Sequence, residues 1–160
     1  MPKSEILFEY GSESRGHWGD LCLYTVQILS DFEGIGWPYQ VKIRRLQYAA
    51  FAEAGDEPEE TVETHRISAA CFASIKAAIA SHTELLTCPD RIENSVYDGV
   101  AQRFYFACDT FSKSVSGASV LGCAHIEESM PVHQRRGNYK VADAYYAVQA
   151  LLEAQGIQVL

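Results

Sequence analysis

The chain has 160 residues, of which 48% are hydrophobic and 21% are charged, proportions that are typical of a globular domain. A chain of this length can bury about 68–70% of its unfolded surface, so it needs neither a metal nor a disulfide to form a core. Its formal charge of −8 repels phosphate backbones and anionic lipid, and we therefore expect no nucleic-acid or membrane partner. The sequence predicts one domain over residues 1–160.

The cysteines and the N-terminal residues indicate the cellular compartment of the protein. The cysteines are odd in number and widely spaced, which favours reduced thiols over a disulfide framework. The first ten residues alternate charged and apolar side chains and lack the basic segment and hydrophobic run of a signal peptide. The sequence has no long uncharged apolar run, so we predict no transmembrane helix. We expect a cytoplasmic protein.

Two strands are predicted near the N-terminus. Ser4 to Tyr10 alternates apolar and acidic residues, which is the period of a strand with one face in the core. Gly11 to Gly19 is rich in glycine, serine and charge and predicts a loop or wide turn. Leu21 to Leu29 is almost continuously apolar, so we expect a central strand that is buried on both faces.

A third strand is predicted from Tyr39 to Leu46, where apolar and polar residues alternate again. The alternation places Tyr39, Val41, Ile43 and Arg45 on one face. It places Gln40, Lys42 and Arg44 on the other face, so the polar side of this strand is basic.

An acidic segment follows between residues 53 and 63. Its acids surround a glycine and a proline, a composition that cannot bury itself, and they are Glu53, Asp56, Glu57, Glu59, Glu60 and Glu63. We expect an exposed loop that enters a fourth strand over about residues 60–67.

The first helix has the clearest start in the sequence. Ser68 is a suitable cap, and Ile67 and Phe72 have the spacing of a hydrophobic staple. Apolar residues then recur at helical spacing as far as His82. The pattern predicts a helix over residues 68–82 with one buried face.

Residues 92–121 predict a meander of short strands. Asp98-Gly99 is the dipeptide that a type I′ hairpin turn prefers, and a second turn is expected at residues 109–112. Phe104, Tyr105 and Phe106 are consecutive, so a strand must direct the middle ring to the opposite face. Either that face is also covered, or an exposed aromatic side chain is available to a partner.

The remaining sequence predicts a connection and a second helix. Residues 122–137 show no sustained period, and we expect a long surface connection there. A helix over 139–155 follows, with Asn138 as its cap and Gly156 at the left-handed position after its end. Together the elements predict an α+β fold with a largely antiparallel sheet of about six to seven strands and two main helices on one face.

No motif in the sequence specifies a reaction, a metal site or a cofactor. The alternative of a small enzyme requires a site that is assembled from scattered residues, for which the candidates are Cys71, His65, His133, Arg135 and Arg136. Cys71 lies in the first turn of a helix, where the dipole favours a thiolate, but its spacing also places it on the packed face. We therefore predict no catalytic residues, no bound metal and no cofactor.

In size, acidity and order of strands and helices, the chain resembles the small α+β immunity proteins with which bacteria neutralise toxins. The resemblance implies a binding protein that occludes a basic toxin. We expect the partner to contact the acidic segment and the exposed tryptophans, namely Glu53, Asp56, Glu57, Glu59, Glu60, Glu63, Trp18 and Trp37. A structural or accessory subunit is a further alternative.

Overall fold

A computed structural model describes residues 3–16, 18–50, 56–96 and 99–159. Within these ranges the chain forms a seven-stranded, mostly antiparallel sheet and three α-helices, which confirms the predicted α+β class. The strands are β1 (Glu5–Arg15), β2 (Leu21–Ser30), β3 (Tyr39–Tyr48), β4 (Glu59–Arg66), β5 (Arg91–Ile92), β6 (Ala101–Ala107) and β7 (Ser112–Ala118). The helices are α1 (Ala69–Ser81), α2 (Val120–Glu127) and α3 (Asn138–Glu153).

The strand order in the sheet is β4-β3-β2-β1-β6-β7-β5. The first four strands form a meander, and β6 then pairs with the other side of β1. All neighbours are antiparallel except β5 and β7. Strand β4 is therefore one edge of the sheet.

One face of the sheet carries the hydrophobic core. Tyr10 and Phe104 are paired across β1 and β6, and both rings contact Tyr145 of α3 at centroid distances of 5.1 and 5.9 Å. Phe72 of α1 contacts Tyr39 of β3 on the same face at 5.0 Å. Burying one such side chain contributes roughly 1.5–3 kcal/mol relative to exposure, so this layer of rings holds the helices on the sheet.

The opposite side of the sheet, which we call the uncovered face, carries mostly polar side chains. Across β3, β2, β1, β6 and β7, one row of paired residues consists of Arg44, Thr25, Gly11, Arg103 and Ser116. The next row includes Lys42 and Tyr105. Arg44, Arg103 and Lys42 are exposed and Tyr105 is half-buried.

The predicted strands are present, with three differences. Strand β1 continues to Arg15, through residues that predicted a loop, because residues 11–15 pair with β2 on one side and partly with β6 on the other. Strand β2 is not buried on both faces, because the helices of the described ranges cover only one side of the sheet. The alternation predicted for β3 is confirmed, with Val41 and Ile43 buried and Lys42 and Arg44 exposed.

The hairpin predicted at residues 98–99 is wrong. Residues 93–96 are not a strand, and β5 pairs in parallel with β7 instead of forming a hairpin with β6. Asp98 itself lies outside the described residues. The second predicted turn is confirmed, since β6 and β7 are antiparallel neighbours around residues 108–111.

Helix α1 confirms its prediction closely, because the Ser68 hydroxyl accepts a hydrogen bond of 3.0 Å from the Cys71 N–H. Residues 122–137 were expected to be a surface connection, but the chain forms α2 across residues 120–127. The cap of α3 is Gly137, with φ of +100°, and not Asn138, whose side chain is buried. Gly156 adopts the expected left-handed conformation, and the Ile157 N–H bonds the Leu152 carbonyl.

Candidate partner-binding surface

Strand β4 carries much of the predicted acidic surface. All of its side chains from Glu59 to Thr64 are exposed, and the preceding Asp56 and Glu57 are exposed as well. Alternation along the strand directs Glu60 to the uncovered face and Glu59 and Glu63 to the opposite side. Glu53 lies outside the described residues. The segment thus offers acids on both sides of one sheet edge.

Two of these acids have side-chain partners on the protein surface. Glu60 lies 3.2 Å from the Nε atom of Arg44, and Glu63 lies 3.2 Å from the Nε2 atom of His65. The side chains of Glu60 and Glu63 are 46% and 57% exposed. Pairs this exposed typically contribute about 0–1 kcal/mol, so both carboxylates can exchange their partners at little cost.

In the part of the chain that the structure describes, no strand pairs with the outer side of β4, so its backbone presents a free edge. The Ile67 N–H donates to the Tyr39 carbonyl at 3.1 Å, just beyond the pair of Arg66 with Gln40. Because inward and outward groups alternate along an antiparallel strand, the N–H and C=O groups of Val62 and Thr64 point away from β3. Val62 also exposes 55% of its surface. An extended segment of another chain can therefore pair with this edge.

The structure places the two tryptophans at opposite ends of the sheet. Trp18 lies in the turn between β1 and β2, which is at the same end as the connection from β3 to β4 because Leu21 pairs with Tyr48. Its side chain is 69% exposed. Trp37 lies in the connection between β2 and β3, at the other end. Trp18 is thus at the end of the sheet where β4 begins, and Trp37 is at the end where β4 leads into α1.

Trp37 also has a contact within the fold. Its indole N–H donates a hydrogen bond of 2.6 Å to the carbonyl of Ile67, the residue that joins β4 to α1. The side chain is 45% exposed, so one edge of the ring is held by the protein and the other meets solvent. This contact fastens the β2–β3 connection to the start of α1.

Cys71, the thiol that was considered for catalysis, and two other cysteines are in environments that disfavour the thiolate. Cys71 is 8% exposed and Cys88 is 3% exposed, and burial raises the pKa of both thiols. Burial also raises the pKa of Cys123, and the nearby Glu127 adds to this effect. These are the properties of core cysteines rather than of nucleophiles.

The basic residues before α3 are engaged in the structure of the connection. Arg135 donates to the Met130 carbonyl at 3.0 Å and lies over the Tyr139 ring at 5.1 Å. The guanidinium of Arg136 donates to the Glu93 carbonyl. His133 is exposed. The two arginines thus hold the chain between α2 and α3 against its neighbours.

A buried polar cluster lies behind this connection, and the sequence patterns did not indicate it. Glu127 and Asn138 are 3% and 1% exposed, and the Asn138 amide donates to Glu127 at 2.7 Å. Asn138 also exchanges hydrogen bonds with Asn94 at 2.8 and 3.0 Å. Glu127 belongs to a short helix with no clear amphipathic period, so the pattern of the sequence gives no sign that this acid is buried.

Within the described residues, no group of three or more His, Cys, Asp and Glu side chains is placed to hold a metal ion. No helix in the described part of the chain is long and apolar enough to cross a membrane. The sequence matches no protein-family model. It also matches no curated protein.

Proposed function

We propose that this protein is a protein-binding module of the immunity type, which binds a basic toxin through strand β4 and the acidic residues that flank it. The observation that carries the proposal is the free edge of β4, with exposed side chains from Glu59 to Thr64. The net charge of −8 adds long-range attraction toward a basic partner.

Addition of a strand from the partner is the binding mode that suits this edge. The outward N–H and C=O groups of Val62 and Thr64 supply main-chain hydrogen bonds, which give affinity without dependence on the partner's sequence. The acids on both sides of the edge supply the preference for Lys and Arg in the partner strand. Trp18 lies at the same end of the sheet and extends the surface.

The charge of β4 also disfavours pairing of this edge with a second copy of itself. If two copies paired their β4 strands, the clusters of Glu59, Glu60 and Glu63 would face each other. Like charges opposite each other destabilise strand pairing, so the edge resists self-association while it accepts a basic strand.

The test uses purified protein and the toxins encoded beside its gene. We expect one of them to bind saturably and to be inhibited on co-expression. The double variant Glu60→Lys and Glu63→Lys should weaken binding at least tenfold, because it repels a basic strand. The matched control is Glu93→Lys with Glu128→Lys, which makes the same change of charge at two exposed positions and should leave the affinity near that of the wild type. Glu93 follows β5, at the edge of the sheet opposite β4.

A proline substitution separates strand addition from simple charge attraction. Val62→Pro removes an N–H that points away from β3, so the pairing of β3 with β4 keeps its hydrogen bonds. We expect this variant to fold, as judged by circular dichroism, and to lose binding. Unchanged binding by Val62→Pro would refute strand addition, and equal losses in the two charge variants would refute a specific role for β4.

A further inference from the structure

The uncovered face contains a hollow at its centre. Gly11 lies on the central strand β1, so the row of side chains that crosses the sheet has a gap at this position. A cavity of about 460 Å³ lies there, and its lining includes Gly11, Thr25, Leu23 and Leu46. Arg44 and Arg103 also line it. The hollow therefore combines an apolar part with two guanidinium groups.

The side chain of Arg103 lies across Gly11. A Cβ atom added to Gly11 would be only 2.5 Å from the Nε atom of Arg103. Arg103 pairs with Gly11 on the neighbouring strand, and Arg44 lies in the same row beyond Thr25. Because Gly11 has no side chain, the side chain of Arg103 can extend from β6 over β1, in the direction of β3 and Arg44.

The two arginines differ in their existing partners. Arg44 forms the exposed pair with Glu60, which contributes little in water. Within the described residues, the guanidinium of Arg103 makes no hydrogen bond or ion pair with a carboxylate. Glu13 also lines the cavity, and its carboxylate is paired with Arg15 at 2.9 Å. An anion in the hollow would thus meet the guanidinium of Arg103, while Arg44 at the edge of the hollow bonds Glu60 on β4.

From this geometry we infer that the hollow around Gly11 binds a small organic anion, with its carboxylate or phosphate group at Arg103 and its apolar body against Leu23 and Leu46. Guanidinium groups bind such anions with two parallel hydrogen bonds, which gives affinity even in a protein of net negative charge. The cavity volume is within the range of small-molecule sites. The inference is independent of the role proposed for β4.

The charges on the same face favour a small ligand over a nucleic acid. Glu9 and Glu13 share this face with the arginines, and a long polyanion would pass over both. The ring of Tyr105 is available for stacking, but it lies in the neighbouring row and not in the lining of this cavity. A compact anion needs only the central hollow.

Phenyl phosphate and benzoate are suitable probes because each joins an anionic group to an apolar ring. We expect titration calorimetry to show saturable binding of at least one of them, and the one that binds identifies the anionic group. Inorganic phosphate and phenol, which each lack one half of the ligand, should bind at least tenfold more weakly. If neither probe binds saturably, or if inorganic phosphate binds as tightly as phenyl phosphate, the inference is wrong.

Three variants test the site itself. Arg103→Gln should weaken binding of the probe at least tenfold, whereas Arg91→Gln, which removes an exposed arginine on β5, should change it less than twofold. Gly11→Ala keeps every charge but displaces Arg103, so it should also weaken binding at least fivefold. Thermal denaturation checks that each variant is folded. Equal effects of Arg103→Gln and Arg91→Gln, or unchanged binding by Gly11→Ala, would overturn the assignment.

Discussion

The carboxylate of Glu127 and the side-chain amide of Asn138 lie 2.7 Å apart in the interior, where the end of α2 meets the start of α3. The same carboxylate accepts hydrogen bonds from the N–H groups of Arg136 at 2.8 Å and Tyr139 at 2.9 Å. Since the first N–H groups of a helix have no partners within it, Glu127 of α2 supplies an acceptor for the Tyr139 N–H in the first turn of α3.

Replacing Glu127 by Gln should destabilise the protein by roughly 1–3 kcal/mol. Both oxygens of the Glu127 carboxylate accept hydrogen bonds, so the NH₂ group of a glutamine replaces an acceptor in either orientation of its amide. The donor that bonded that oxygen is then left without a partner. Urea denaturation followed by circular dichroism measures the loss. Glu128→Gln is the control, because the Glu128 side chain is 72% exposed and its replacement should cost within about 0.5 kcal/mol.

Trp37→Phe should lower the free energy of unfolding by about 0.5–1.5 kcal/mol, because it removes the donor that bonds the Ile67 carbonyl. Denaturant titration of the variant measures the change. Ile35→Ala is a control in the same connection, since Ile35 is fully exposed and its loss should have a smaller effect. A Trp37→Phe protein as stable as the wild type would show that the hydrogen bond contributes nothing.

The thiols of Cys71 and Cys88 should react slowly with Ellman's reagent at neutral pH. Burial raises the pKa of both, so little thiolate is present, and the reagent has little access to either sulfur. In denaturant all five cysteines should react at the rate of free thiols. The Cys71→Ser variant identifies its contribution to the time course. A fast native reaction that this variant abolishes would favour the enzyme alternative.

Stability should fall as the pH rises above about 10, the ordinary pKa of tyrosine. Burial raises the pKa of Tyr10 and Tyr145, so the folded protein keeps protons that the unfolded chain releases. The contribution of these groups is fully present below the unfolded pKa and is lost as the pH rises through the folded pKa. Denaturant titrations at several alkaline pH values, with tyrosinate absorbance as a second signal, measure the decline. Tyr145→Phe should make it shallower, and an equally steep decline in that variant would contradict the prediction.

Local patterns in the sequence determined the elements whose signals come from neighbouring residues. Ser68 caps α1 because a hydroxyl at that position reaches the N–H three residues later, and this geometry needs no other part of the chain. Gly156 ends α3 for a similar reason, since a left-handed residue is required there and glycine adopts it without strain. The alternation of β3 likewise predicted which side chains are buried.

Other features depended on which strands and helices come together. The Asp98-Gly99 dipeptide predicted a hairpin, but residues 93–96 are not a strand and β5 pairs in parallel with β7. Helix α2 has no amphipathic period in its sequence, so its packing and the burial of Glu127 were not predicted. Contacts with α3 and hydrogen bonds with the buried amides stabilise them. Long-range pairing of this kind leaves no periodic signal in the sequence.

The candidate surfaces were predicted only in part. The charge of residues 56–63 and the basic side of β3 follow directly from the sequence. The strand order decided that β4 is a free edge, that Trp18 and Trp37 lie at opposite ends, and that Arg103 extends over Gly11 from a strand far away in the chain. Local sequence fixes the face to which a strand directs each side chain, because side chains alternate; only the pairing of distant strands decides which residues share that face.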